Sequence, residues 1–402
     1  MADPFTNSGE KPEGVGVGSI PFDQARLDQA MDDAGVDALL VTNHLNIRYL
    51  TGGYHCIFYD AMDQLGVSKY GPAILYRKAQ PERSFFLGSY FDKEQLPNDP
   101  IWVPNAEVGN WVGTTTPPLI ADWVKKEKLD KGTIGIESPF LSVEVYLELQ
   151  KLLPDVTWVN AVTVLEYLRA IKTPKELDIL RTASEKIVET MKYGFRQLRP
   201  GMSSRDIEQV VAAKERELGM GFDYCLVGFG KDTNRTPRAN ITYEAGTIAG
   251  FDSGGNIDGY IGDLCRMGSQ GEPEPLQKQV LDEIDHVQMA ARVPMKPGAR
   301  GGSIREAAME AIKECEHGSS MGFIVHGMGL VSHEAPRLVT KPIPYSDEWA
   351  ERPLEEGLVV SIETTFARPD CGYIKLEDTV AVTATGFEGF GDGGRGWNPI
   401  GE

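Results

Sequence analysis

The chain has 402 residues, which is more than one ordinary hydrophobic core accommodates and enough for two domains. Its 59 acidic and 40 basic residues give a formal net charge of −19, which disfavours nucleic acids and anionic membranes as partners. Five cysteines without a CxxC pair favour a reducing, cytoplasmic location, and no apolar run is long enough to cross a membrane. Residues 1–18 are polar, lack the apolar core of a signal peptide and are predicted to form a flexible arm.

Residues 19–172 alternate between helix and strand patterns, which predicts an α/β domain with a partly parallel sheet. A helix is predicted over residues 22–34, ended by Gly35, and an apolar strand follows over 36–42. Further strands are predicted at 73–76, 84–87 and 133–137, and helices at 119–127 and 143–153.

Residues 173–402 are predicted to form a second domain in which two helices followed by strands occur twice. Thr173 and Glu176 make a capping-box pattern at its first helix, and Ser204 is predicted to cap the second. Residues 303–306 make a second capping-box pattern. The later elements are predicted as a helix over 276–293, a helix ending at 315, and strands at 322–326, 358–366 and 373–384.

Two acids, Asp252 and Asp263, lie in a predicted hairpin over residues 243–266, whose turn is assigned to Gly254 and Gly255. The surrounding residues are apolar. An unpaired carboxylate in such a place costs several kcal/mol or becomes protonated. Two facing acids therefore predict a bound cation.

Three further residues extend this ligand set. His326 ends one strand-like run, Glu363 ends another, and Glu377 lies in the middle of a third. A single acid in a strand is usually a salt-bridge partner, but five ligand-type residues in separate apolar strands favour a shared site. Carboxylates with one imidazole suit Mn²⁺, Fe²⁺, Co²⁺ or Zn²⁺. Four carboxylates are more than one ion needs, which predicts two divalent ions sharing a water.

Four motifs occur in an order that resembles the creatinase/prolidase/aminopeptidase P family. Residues 252–266 resemble its D…GY..D.(T/S)R pattern, and residues 326–336 its HG.G…HE.P pattern. Residues 354–363 resemble L..GMV.(T/S)(I/V)EP, and 374–378 resemble (I/V)R.ED. A weaker similarity to the creatinase-type N-terminal domain covers residues 43–53.

The resemblance implies an α/β (α+β) protein with a creatinase-like N-terminal domain and a C-terminal pita-bread domain of pseudo-twofold symmetry. It implies that His333 contacts the substrate and stabilises the tetrahedral intermediate, and that Glu363 also shuttles a proton. It implies a homodimer in which Tyr54 and His55 contact substrate. The implied metal ligands are Asp252, Asp263, His326, Glu363 and Glu377.

Several positions depart from the family pattern. Arg235 stands where the family places a catalytic His, seventeen residues before Asp252, and is predicted to grip a substrate carboxylate. A slip in register would give this role to Arg238. Cys265 replaces a Thr, either as a small core residue or as an influence on the choice of metal. The remaining departures are Thr364 for Pro and Lys375 for Arg.

These observations predict a dinuclear metal-dependent hydrolase that cleaves a C–N bond in a small molecule or short peptide, similar to Xaa-Pro dipeptidase or creatinase. Two alternatives come from other classes: a lyase on the same metal scaffold, similar to the enzyme that cleaves dimethylsulfoniopropionate, and a metal-free binding module. Only the hydrolase incorporates solvent oxygen into its product, and the intact ligand set argues against the binding module.

Overall fold

The computed structural model describes residues 12–56, 72–110, 116–338 and 348–401. The chain divides into two compact units between Leu168 and Arg169. Residues 1–11 of the predicted arm lie outside the described residues, whereas Val15 is buried and pairs with Ile101. Within the described ranges, no helix combines the length and hydrophobicity that crossing a bilayer requires.

The N-terminal unit is built on a six-stranded mixed sheet in the order β4-β3-β2-β1-β5-β6. β1 pairs antiparallel with β2 and parallel with β5, and β5 continues parallel to β6. The strands are β1 (Ala38–Val41), β2 (Ala73–Arg77), β3 (Phe85–Ser89), β4 (Asn105–Asn110), β5 (Thr133–Ile136) and β6 (Thr157–Asn160). The helices are Gln24–Asp33, His44–Leu50, Asp92–Gln95, Thr116–Lys126, Val143–Leu152 and Val162–Ala170, with a 3₁₀ turn at Pro81–Arg83.

The central strands explain why this unit folds around its sheet. Every residue of β1 is buried, as expected of a strand in the middle of a mixed α/β sheet. Leu40 of β1 packs in one core with Leu75 of β2, Trp123 and Leu149, the last two from helices. The predicted α/β class of this region is therefore confirmed.

The C-terminal unit is built on a nine-stranded sheet in the order β11-β10-β12-β13-β9-β8-β7, with β14 beside β13 and β15 beside β9. Two helices precede β7–β9 and two precede β10–β13, so the predicted duplication and pita-bread class are confirmed. The strands are β7 (Gly221–Phe229), β8 (Ile248–Ile257), β9 (Tyr260–Ser269), β10 (Met321–Gly327), β11 (Glu334–Arg337), β12 (Val359–Arg368), β13 (Gly372–Val382), β14 (Phe387–Phe390) and β15 (Asn398–Pro399). The helices are Pro174–Gln197, Ser204–Glu217, Pro275–Arg292, Ser303–Glu314 and Glu348–Glu351, with a 3₁₀ turn at Gly318–Ser320.

The predicted helix caps of this unit agree with the structure in part. Thr173 and Glu176 form the predicted reciprocal capping box. The next helix is capped by Ser203 rather than Ser204, because Ser203 lies in extended backbone and accepts from the backbone N–H three residues on. The capping box predicted at residues 303–306 is wrong: Ser303 donates instead to the carbonyl of Arg300 and no side chain caps that helix.

The turn of the central hairpin also differs from the prediction. Gly254 and Gly255 lie inside β8, and the chain reverses at Asp258 and Gly259, both with positive φ. An Asp-Gly pair suits such a two-residue turn. Gly254 is needed for another reason: a Cβ there would collide with the ring of Tyr224 on β7. The misassigned glycines mark close packing across the sheet.

Candidate metal centre

The structure brings all five predicted ligands together on neighbouring strands of the second sheet. His326 comes from β10, Glu363 from β12 and Glu377 from β13, while Asp263 and Asp252 come from β9 and β8. All five side chains are buried. The site therefore crosses the centre of the sheet, where adjacent strands hold each ligand in place.

The register of the paired strands explains why the candidate ligands lie close together. Glu363 lies opposite Glu377, Glu377 lies opposite Cys265, and Cys265 lies opposite Asp252. Asp263 is two residues from Cys265 and so shares its face of the sheet. Residues far apart in sequence thus line one face in a row.

His326 is at the centre of the donor atoms. Its Nε2 is 3.1 Å from Oε1 of Glu363 and 3.6 Å from Oε1 of Glu377. Ligand atoms of Asp263, His326 and Glu377 all lie within 4.8 Å of one another, and the same holds for His326, His333 and Glu363. This spacing lets several of them contact one ion.

Hydroxyl groups orient the carboxylates. Tyr224 donates to one oxygen of Asp263, and Ser332 donates to the other at 2.8 Å. Ser361 donates to Oε1 of Glu377 at 2.8 Å. Such supporting hydrogen bonds fix the direction of a ligand's lone pairs. Sequence reasoning missed all three hydroxyls, although Ser361 could have been found two residues before Glu363, on the same face of β12.

Lys375 also enters this cluster, although the sequence analysis noted it only as a departure. Its Nζ is 2.8 Å from Oδ2 of Asp252, 2.6 Å from Oε2 of Glu363 and 2.7 Å from Oε2 of Glu377. The side chain is 3 % exposed. The signal was its position two residues before Glu377, which puts both side chains on one face of β13.

Arg235 flanks the same cluster. It donates to Oδ2 of Asp252, and its guanidinium lies 4.8 Å from the centre of the Tyr373 ring. One third of the side chain is exposed. Arg238 instead pairs with Asp232, 2.5 Å away, outside the cluster. Of the two arginines left open by the sequence, Arg235 is the one beside the carboxylates.

The charges in the cluster shift several pKa values. Burial raises the pKa of Asp263, and the charges of Glu377 and Asp252 raise it further. Burial acts in the same direction on Glu363, but Lys375 and His326 outweigh it and hold the pKa of that carboxyl below its usual range. Glu363 is therefore ionised at neutral pH.

His333 lies beside His326, with the two rings stacked at 3.8 Å. Its φ of 64° lies in the left-handed region, which is uncommon for a residue with a side chain and often marks a functional position. Burial and the neighbouring His326 lower its pKa, so the ring is neutral and can donate a hydrogen bond. The next residue, Glu334, is buried between Lys172 and Arg169, which anchors the loop.

The other predicted site residues have different surroundings. Tyr54 is buried in the N-terminal unit and donates to Asp92 at 2.6 Å, while His55 is exposed. Their substrate contacts remain predictions. Cys265 is buried. Thr364 lies on the face of β12 opposite Glu363 and donates to Gln288 at 2.9 Å, so this departure stabilises the core rather than changing the site.

The residues present fit a divalent ion. Asp263, His326 and Glu377 form one group of oxygen and imidazole donors, and Glu363 joins His326 in a second group. Hydroxyl groups orient Asp263 and Glu377. This donor chemistry suits borderline divalent metals. The pKa values of the acids diverge because burial raises that of Asp263, whereas Lys375 and His326 lower that of Glu363.

Comparison with known proteins places the chain in a family. Residues 178–384 match metallopeptidase family M24, and residues 24–171 match the creatinase/prolidase N-terminal domain. The chain belongs to metallopeptidase family M24. An Xaa-Pro dipeptidase of Lactobacillus helveticus is 28 % identical over 375 residues, covering 91 % of this chain and 95 % of that protein.

Solved structures of an Xaa-Pro dipeptidase and a prolidase share the fold. An Xaa-Pro dipeptidase from Bacillus anthracis superposes with a TM-score of 0.77 at 23 % identity, covering 94 % of this chain and 98 % of its own. A prolidase from Pyrococcus horikoshii superposes with a TM-score of 0.73 at 21 % identity. The match covers 92 % of this chain and 97 % of the prolidase chain. The resemblance inferred from four motifs is thus confirmed, and so is the prediction of a metal-dependent hydrolase. Neither the lyase nor the metal-free binding module is favoured.

Proposed function

We propose that the protein is a divalent-metal-dependent hydrolase that cleaves the amide-type C–N bond of a dipeptide or similarly small substrate carrying a carboxylate. The observation that supports this best is the buried set of Asp263, His326, Glu363 and Glu377 with Arg235 at its edge. Mn²⁺, Fe²⁺, Co²⁺ or Zn²⁺ would be held by these ligands. When bound, the metal supplies Lewis-acid activation of water and of the carbonyl group.

The chain's own residues provide the proton transfers and the orientation. Glu363 accepts a proton from the attacking water and returns it to the leaving nitrogen, because its carboxylate lies beside His326 and His333 in the group of donors that would hold the ion. His333, neutral and partly exposed, donates to the oxyanion that develops on the carbonyl oxygen. Arg235 binds the substrate carboxylate through those guanidinium donors that do not contact Asp252.

The size of the substrate follows from the relatives and from Arg235. The Lactobacillus helveticus relative is an Xaa-Pro dipeptidase. A carboxylate held one residue from the scissile bond favours a short, anionic or zwitterionic substrate over a long peptide. We therefore expect Xaa-Pro dipeptides to be cleaved faster than peptides longer than three residues.

A metal-replacement assay tests this function. The purified protein would be stripped with chelator, reloaded separately with Mn²⁺, Fe²⁺, Co²⁺ or Zn²⁺, and assayed on Xaa-Pro dipeptides, N-acyl amino acids, creatine and dimethylsulfoniopropionate in ¹⁸O-water. We expect metal-dependent cleavage with ¹⁸O in the product carboxylate. Full activity after chelation, or product without ¹⁸O, would contradict the proposal.

We also propose that the protein is a cytoplasmic homodimer. The five cysteines are all free, as suits a reducing compartment. Light scattering on the purified protein measures the mass directly, and we expect twice the chain mass of 44.2 kDa. A monomeric mass would contradict the dimer without affecting the proposed reaction.

A further inference from the structure

We infer that the ammonium group of Lys375 takes the place of one of the two metal ions predicted from the ligand count, so that the site binds a single divalent ion. This inference rests on the proposed metal-dependent hydrolase and specifies the composition of its centre. It is carried by the arrangement of Lys375 among three of the five predicted ligands.

Glu363 and Glu377 each direct one carboxylate oxygen towards His326 and the other towards Lys375. Oε1 of Glu363 and Oε1 of Glu377 face His326, at 3.1 and 3.6 Å. Oε2 of each faces Nζ of Lys375, at 2.6 and 2.7 Å. One position is thus lined by an imidazole and the other already holds a positive charge.

The two aspartates are also divided between His326 and Lys375. Asp263 joins His326 and Glu377 in a group whose donor atoms all lie within 4.8 Å of one another. Asp252 belongs to none of the candidate metal-binding groups among the described residues. Its Oδ2 instead accepts from Lys375, at 2.8 Å, and from Arg235. Asp252 therefore acts as an acceptor for cationic side chains, and Asp263 as a ligand.

The position of Lys375 leaves little freedom to withdraw. The residue is 2 % exposed, in the middle of β13, between Ile374 and Leu376, which are both fully buried in the core. A buried ammonium is stable only with charged partners, and three carboxylates within 2.8 Å provide them. A second ion would have to displace a side chain that solvent does not reach.

Charge balance favours the same composition. The cluster contains four carboxylates: Asp252, Asp263, Glu363 and Glu377. One divalent ion together with Lys375 and Arg235 neutralises four negative charges when His326 ligates as a neutral imidazole. A second divalent ion would leave the buried site with surplus positive charge, which is costly in a low-dielectric environment.

Metal counting tests the inference. Chelator-treated protein would be equilibrated with excess Mn²⁺, freed of unbound ion by gel filtration, and analysed by inductively coupled plasma mass spectrometry. We expect about one ion per chain in the wild type and about two in Lys375→Ala, which removes the ammonium and opens its space. Electron paramagnetic resonance should show isolated Mn²⁺ in the wild type and spin-coupled pairs in Lys375→Ala.

Two further variants control the comparison. Lys231→Ala removes a lysine that is half exposed and pairs with Glu274, and it should keep the wild-type count. Asp252→Asn serves if Lys375→Ala does not fold. Because the inference makes Asp252 a partner of Lys375 and not a ligand, Asp252→Asn should also keep about one ion.

The outcomes separate the inference from the proposed function. About two ions in the wild type with ¹⁸O-incorporating hydrolysis would overturn the inference and leave the hydrolase standing. Loss of the bound ion in Asp252→Asn, or an unchanged count in folded Lys375→Ala, would also overturn it. No bound ion together with no hydrolysis would overturn both.

Discussion

Two neighbouring residues of β13 enter two different clusters of buried charge. Glu377 lies in the metal cluster, whereas Asp378, on the opposite face, lies in an arginine cluster with Arg266, Arg292 and Arg395. Arg266 and Arg292 approach the carboxylate of Asp378 at 3.0 and 3.1 Å. Glu377 and Asp378 are both buried, yet the clusters around them differ in charge.

The arginine cluster is neutral by itself. Its three guanidinium groups are matched by Asp378, by Asp392 on Arg292 and by Asp285 on Arg395. The metal cluster has four carboxylates against Lys375, Arg235 and His326. Burial lowers the pKa of His326, but Glu363 and Glu377 outweigh it and raise that pKa to about 10, so the acids still outnumber the cationic groups by one. A buried cluster that lacks positive charge is a binding site for a cation, whereas a balanced one stabilises the fold.

The largest expected effect comes from breaking the metal cluster. Glu377→Ala and Asp263→Ala each remove a charged ligand and should lower metal content and reduce kcat/KM by at least about 100-fold. Metal analysis and steady-state kinetics on protein with wild-type circular dichroism measure this. Wild-type metal content in both variants would contradict the ligand assignment.

Breaking the arginine cluster should instead affect stability. Asp378→Asn leaves three guanidinium groups, those of Arg266 and Arg292 buried, without their shared partner, which should lower the free energy of unfolding by roughly 3–5 kcal/mol. Urea denaturation followed by fluorescence measures the loss, while metal content should remain that of the wild type. Asp370→Asn, from an exposed pair with Arg368, is the control and should keep the wild-type midpoint. If Asp378→Asn lost metal but kept the stability of the wild type, the assignment of the arginine cluster to fold stability would be contradicted.

The edge of the metal cluster gives a third test. Arg235→Lys keeps the charge but loses the two-pronged donor, so kcat/KM should fall about 30- to 1,000-fold, equivalent to roughly 2–4 kcal/mol. Metal content should not fall. Arg238→Lys is the matched control, since Arg238 pairs with Asp232 instead. Equal kinetics for Arg235→Lys, Arg235→Ala and the wild type would remove Arg235 from the substrate site.

Glu215 extends the comparison because it is a buried acid that accepts a hydrogen bond from Ser253 and forms no salt bridge among the described residues. Burial raises its pKa from 4.5 to about 8. Since the folded state holds this proton more tightly than the unfolded state, its contribution to stability is complete below the unfolded pKa and is lost as the pH rises toward 8.

Relative to Glu215→Gln, the wild type should therefore lose about 2 kcal/mol of stability between about pH 5 and about pH 7. Urea denaturation at several pH values measures the difference. Glu217→Gln on the same helix, where the side chain is 67 % exposed, should follow the wild type at every pH. A difference that stays constant with pH would show that Glu215 is ionised in the folded protein.

The sequence alone predicted the fold class, which the structure confirms, and a set of candidate ligands. Asp252, Asp263, His326, Glu363 and Glu377 stand out because ligand-type side chains interrupt apolar strands, where each would be unfavourable without a partner. Their order along the chain identified the family before any contact was known. Periodicity also predicted helices that the structure contains, such as Gln24–Asp33 and Pro275–Arg292, but it missed His44–Leu50 and Val162–Ala170. The Thr173 cap was predicted from its reciprocal pattern.

Only the tertiary structure decided which of the candidate ligands face His326 and which face Lys375. Strand register placed Lys375 between Asp252 and the two glutamates, and register depends on the pairing of β13 with β12 and β9, which local sequence does not specify. Strand pairing also explains why Gly254 was wrongly assigned to a turn. Glycine is required there because a Cβ would collide with the ring of Tyr224 on a neighbouring strand. Side chains that meet across a sheet are specified by partners far away in sequence, and so are the charges that decide what a buried cluster binds.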